Sequence, residues 1–61
     1  MKVRDIIREV ERAGWFYVRT RGSHHYYHHP KRRGTVTVPG QSNDDLSLKT
    51  LISIRRQAEG K

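Results

Sequence analysis

Trp15-Phe16-Tyr17-Val18-Arg19-Thr20-Arg21-Gly22-Ser23-His24-His25-Tyr26-Tyr27-His28-His29 is the stretch whose reading decides the fold. Trp15 to Arg21 is aromatic, β-branched and basic, which favours a strand. Gly22-Ser23 is a turn signal. His24 to His29 resumes an extended aromatic pattern. Pro30-Lys31-Arg32-Arg33-Gly34 is a second turn, strongly basic. Thr35-Val36-Thr37-Val38 then alternates polar with apolar, as a half-buried strand does, until Pro39-Gly40 ends it. Three such runs joined by short loops predict an antiparallel meander.

The flanks are helical. Val3, Ile6, Ile7, Val10 and Ala13 fall on one face at helical spacing, with Arg4, Arg8, Glu9, Glu11 and Arg12 on the other. Gly14 is placed to stop this helix in a left-handed conformation, with Trp15 folding back on Val10. The first helix is expected over residues 3–13. Gln41 to Asp45 is a polar connection. Leu48, Leu51, Ile52, Arg55 and Ala58 then predict a second helix over residues 47–58, capped by Ser47. Asp44 and Asp45 are read as charge favouring its positive end. A basic tail follows at Gly60-Lys61. Two amphipathic helices must bury their apolar faces on something, and one face of the small sheet is the surface on offer. The expected architecture is a single α+β domain over residues 1–61, of order αβββα, with both helices on one face of a three-stranded antiparallel sheet.

Bulk properties narrow the function. Thirteen Lys and Arg against six Asp and Glu give a formal net charge of +7. The pI near 10.6 suits a nucleic-acid partner. A chain this short buries only about 60% of its unfolded surface, so it is marginal alone. Without cysteine it has neither a disulfide staple nor a thiolate metal site. That points to support from a partner or from weak self-association. No run of apolar residues suits a signal peptide or a membrane span, so a cytoplasmic protein with no membrane partner is expected.

Strand parity sets the site. With Phe16 and Val18 inward, Tyr17, Arg19 and Arg21 face out. Val36 and Val38 inward leave Thr35 and Thr37 outward. If His24 also faces out, the open face carries Arg19, Arg21, His24, Tyr26 and His28. A one-residue slip would exchange every member for its neighbour. His24 and His28 stand roughly 13 Å apart along a strand, too far to share one ion, so neither a metal nor another cofactor is called for. RNA chemistry fits better. Cleavage through the 2′-hydroxyl needs a base, an acid and charge stabilisation at phosphorus. Histidine supplies either of the first two. Arg19, Arg21 and the turn Lys31, Arg32 and Arg33 hold phosphates, Ser23 adds a polar contact beside them, and Tyr26 offers a ring for a base. A plainer reading stands beside each: a strand histidine as a polar surface residue, Arg32 and Arg33 as solvated turn residues, and Tyr27 and Trp15 as core.

The chain resembles the HicA family of toxin–antitoxin toxins over nearly its whole length. The likeness is carried by the opening helix closed at Gly14-Trp15, then Val18-Arg19, Gly22-Ser23-His24-His25, Tyr27 and His29-Pro30. It continues through Val36-Thr37-Val38-Pro39, Leu51-Ile52 and Arg56-Gln57-Ala58. The resemblance implies a fold like the double-stranded-RNA-binding domain, mRNA-cleaving activity with one key histidine aligned with His24, and neutralisation by a HicB-type antitoxin. Two departures stand out. Gly40-Gln41 occupies a place after the valine-proline pair that is often basic or histidine in the family. Lys49-Thr50-Leu51 stands where Gly-Thr-Leu is common, adding a cation. The mechanism expected is metal-independent transesterification with His24 as base and the arginines on the phosphate. His28, Tyr26 or water would protonate the leaving oxygen. The alternative is a non-catalytic RNA- or ribosome-binding module.

Overall fold

A computed structural model describes residues 1–59; the tail at Gly60-Lys61 lies outside the described residues. The order is α1 (Val3–Arg12), β1 (Phe16–Arg21), β2 (His24–His28), β3 (Val36–Pro39) and α2 (Leu48–Ala58). The strands form an antiparallel sheet in the order β1-β2-β3. This is the αβββα arrangement that the sequence predicts. No helix among the described residues is long and apolar enough to cross a membrane.

The core sits between the helices and the inner sheet face. Val3, Ile6 and Val10 of α1 meet Val36 and Val38 of β3, Tyr27 of β2, and Leu51 and Ile54 of α2, with Trp15 closing one end. Each aliphatic side chain fully buried in this way contributes about 1.5–3 kcal/mol. Trp15 donates its indole N–H to the Ala58 carbonyl at 3.2 Å, so the start of β1 is tied to the last turn of α2. Gly14 ends α1 at φ +98°, and a Cβ there would lie 2.6 Å from His29 Nε2. Glycine is needed on both counts.

Three expectations change. First, Phe16 faces outward and Tyr17 inward. Tyr17 pairs with Tyr27, but Arg19, two residues on, pairs with Tyr26, only one residue back along β2. Val18 is therefore the extra residue of a β-bulge. The bulge inverts parity within β1, leaving Arg19 and Arg21 outward as expected while Phe16 and Tyr17 exchange faces. Second, α2 buries Leu51 and Ile54, not Ile52, and Leu48 is largely exposed. The helix lies along the β3 edge, where Gln57 Oε1 accepts the Thr37 backbone N–H at 3.0 Å. That placement turns its buried stripe by one position.

Third, Asp44 and Asp45 serve α1 rather than α2. The Asp44 carbonyl accepts the Val3 N–H at 2.9 Å, and the Ser42 carbonyl accepts the Arg4 N–H at 3.1 Å. Asp45 lies 3.5 Å from Lys2 Nζ. The 41–45 loop thus satisfies N–H groups that the first turn of a helix leaves without partners. Ser47 caps α2 as expected, accepting the Thr50 N–H at 3.2 Å.

Candidate RNA-processing face

The β1–β2 ladder sorts the histidines by face. On the outer face Phe16 lies opposite His28, Arg19 opposite Tyr26 and Arg21 opposite His24. On the inner face Tyr17 lies opposite Tyr27 and Thr20 opposite His25. Contacts agree with this register. Phe16 meets His28 edge-on with centroids 6.4 Å apart, and Tyr17 meets Tyr27 at 5.9 Å. The Arg19 guanidinium carbon stands 5.3 Å from the Tyr26 ring centroid, within cation–π range.

His25 and His29 are structural. His25 Nε2 sits 2.7 Å from the Gly40 carbonyl, which accepts only, so this nitrogen carries the proton. Its Nδ1 is hydrogen-bonded to the Thr20 hydroxyl at 3.0 Å, which is in turn hydrogen-bonded to the Tyr17 hydroxyl at 2.8 Å. His29 likewise donates from Nε2 to the Ala13 carbonyl at 3.0 Å and accepts the Lys31 backbone N–H on Nδ1 at 3.0 Å. Both rings are committed at both nitrogens. Burial raises the Tyr27 phenol above its ordinary pKa, with Glu11 and Tyr17 adding to the effect, so Tyr27 is a neutral core ring.

His24 is different. It is exposed, and among the described residues its ring makes no hydrogen bond. It opens β2 directly after the Gly22-Ser23 turn, where Gly22 takes φ +61°. Positive φ at the first central residue of a two-residue hairpin is the type II′ pattern that glycine permits. The turn is pinned to the end of β3 by the Gly40 N–H, which donates to the Ser23 carbonyl at 2.8 Å. His24 thus stands on a fixed corner with its ring available. Six carboxylates lie elsewhere, on α1, at residues 44–45 and at Glu59. The outer face carries cations alone.

The structure brings Arg19, Arg21, Ser23, His24 and Tyr26 together. His28 shares their face but stands at the far end of β2, against Phe16. Lys31, Arg32 and Arg33 lie beyond that same far end. Arg32 donates to the Ala58 carbonyl at 2.6 Å, an interaction favoured at a helix C-terminus. Sequence reasoning missed the other neighbours of His24. An open cleft of about 420 Å³ joins it to Thr37 and Pro39 of β3 and to Lys49, Thr50, Ser53, Ile54 and Gln57 of α2. The cation at Lys49 was the available signal, but a helix set flat beneath the sheet would have kept it from the outer face. Among the described residues no three His, Asp or Glu side chains converge as a metal site would require.

A family model described as HicA toxin of bacterial toxin–antitoxin matches residues 3–59, both helices and every strand included. No curated protein matches the chain. A family match over this span settles membership: the chain belongs to the HicA toxin family.

Proposed function

From that membership as premise, we infer that this toxin is an endoribonuclease that cleaves mRNA, acts in the cytoplasm and is neutralised by a HicB-type antitoxin. The observation that carries the reading is the contrast among the histidines. His25 and His29 are fixed by two hydrogen bonds each, whereas His24 is exposed beside Arg21 at the rim of a cleft.

His24 removes the 2′-hydroxyl proton, and the oxygen attacks the adjacent phosphorus. The phosphorus–5′-oxygen bond breaks, leaving a 2′,3′-cyclic phosphate and a 5′-hydroxyl end. Arg21 and Arg19 stabilise the charge that develops on the phosphate. Arg19 and Tyr26 form a preassembled plate on which a neighbouring base stacks. The leaving oxygen needs a proton. His28 lies four residues from His24, about 13 Å along the strand, whereas Tyr26 is about 7 Å away. Distance therefore favours Tyr26 or water as the donor. No step calls for a metal ion.

The test compares the intact protein with His24→Ala on RNA, with and without EDTA, following cleavage and binding separately. The reading expects cleavage that survives EDTA and is lost in the variant while binding remains. Strict magnesium dependence, or products ending only in 3′-hydroxyls, would overturn the mechanism. Equal binding with no cleavage by either protein would instead mark a non-catalytic RNA-binding module.

A further inference from the structure

His24 stands where two surfaces meet. One is the outer sheet face with Arg19 and Tyr26. The other is the cleft toward α2, which continues into a second depression of about 340 Å³ reaching Ile52 and Arg56. Lys49, Ser53 and Gln57 line both. No carboxylate lines either one, whereas the hollows on the α1 side are lined by Asp5, Glu9 or Glu59. On the α1 side those carboxylates offset Arg8 and Arg12 or Arg32 and Arg55, whereas on the α2 side Lys49 and Arg56 meet an anionic ligand with no acidic neighbour in the lining.

The cleft also has the lining of a base pocket. Its floor is apolar, formed by Pro39 and the buried Ile54. Its polar groups are few and held in place. Gln57 is fixed by the Thr37 backbone N–H, and its amide donates to Ser53 Oγ at 3.4 Å. Ser53 accepts that bond, so its hydroxyl keeps a proton to donate, and Ser53 lines the cleft. The Thr37 hydroxyl is a second donor and acceptor on the opposite wall. An apolar floor with a few fixed polar groups is how small-ligand sites orient what they hold, and a volume of this order suits one nucleoside.

Resting on the ribonuclease reading above, we propose that the cleft between His24 and α2 is a single-nucleotide subsite of a single-stranded RNA. Thr37 and Ser53 read the edge of its base, while Lys49 and Arg56 hold its phosphates. The strand then crosses His24, with one neighbour of the scissile phosphate in this cleft and the other stacked on Arg19 and Tyr26. Base preference at the cleavage site is set on the α2 side.

The experiment uses the full chain and two probes. The first is an inert 2′-O-methyl oligonucleotide, which is bound but not cleaved, titrated across a salt series by filter binding. Lys49→Ala is expected to weaken binding about tenfold and to lower the salt slope by about 0.7, the release from one single-strand phosphate contact. The second probe is a randomised RNA whose fragment ends are sequenced. Thr37→Val and Ser53→Ala are expected to change the base preferred at one position beside the cut, with circular dichroism confirming an unchanged fold. The proposal fails if Lys49→Ala keeps wild-type affinity and salt slope while Arg19→Ala loses them. It fails also if both pocket variants cut at the wild-type positions. A wild-type protein that binds the inert strand but cleaves nothing sinks the nuclease reading alone, because the Lys49 result still decides the subsite. A wild-type protein with no salt-dependent RNA binding overturns the subsite as well.

Discussion

The two faces of β2 share one segment of five residues and behave as different materials. The inner face, His25 and Tyr27, is tied into the fold by hydrogen bonds and burial. The outer face, His24, Tyr26 and His28, touches the rest of the molecule mainly through Arg19 and Phe16. The same residue types alternate between scaffold and reagent at period two. Identity alone therefore cannot say which histidine is free to react; only its neighbours can.

The sharpest way to break this contrast is at His24. His24→Ala is expected to lower cleavage by about 10²- to 10⁴-fold, the range for losing a general base. Thermal unfolding should move by no more than about 0.5 kcal/mol, as for an exposed site without structural partners. A large stability loss would erase the distinction.

The tyrosines come next. Tyr27→Ala is expected to cost about 3–5 kcal/mol, as for a large aromatic removed from a core. In a domain this small that suffices to unfold it, visible in a urea titration. Tyr26→Ala should leave the urea midpoint nearly unchanged and weaken RNA binding by about 1–3 kcal/mol, the worth of one stacked base.

A finer cut separates neighbouring histidines. His25→Ala takes the side-chain donor from the Gly40 carbonyl and leaves the Thr20 hydroxyl with Tyr17 alone, and should cost about 1 kcal/mol of stability. His28→Ala should cost almost none. Gly14→Ala tests the other structural ring, since its Cβ would displace His29 from the Ala13 carbonyl. A thermal midpoint equal to wild type would contradict that account.

The smallest effect lies away from both faces. Arg55, hydrogen-bonded to Glu9 at 2.8 Å, holds the Glu9 carboxyl below its ordinary pKa. The folded state therefore binds that proton less readily than the unfolded chain. The pair's contribution is present above the ordinary Glu pKa and fades as pH falls through the lowered one. Both side chains are nearly half exposed, so solvent screens most of it. Glu9→Gln should shift the melting curve slightly at neutral pH and not at all in strong acid.

Much of this was legible in the chain. Period-two and period-3.6 patterns located every element, and Gly14, Gly22 and Ser47 marked the boundaries they form. Strand alternation split β2 into two sets, but which of them faces outward was settled only by the packing of Tyr27. What escaped had a common cause, because each case depended on a neighbour distant in sequence. No residue type announces the bulge at Val18, which exists because Tyr17 packs on Tyr27 while Arg19 packs on Tyr26. The stripe buried by α2 is set by the β3 edge, through Gln57 and Thr37. The partners of Asp44 and Asp45 lie about forty residues away, at the start of α1. Lys49 carried a visible charge, but only the placement of α2 puts it beside His24.

The bond from Trp15 to the Ala58 carbonyl has an optical consequence. The chain holds a single tryptophan, and it is buried. Its indole touches the His29 ring edge-on at 5.1 Å and is anchored to the last turn of α2. Its emission thus serves as a built-in gauge of whether the two ends of the domain stay docked. Because it lies on the core side, the gauge reads folding independently of whatever occupies the cationic face. The integrity of the scaffold can therefore be followed without a label while the cationic face is titrated.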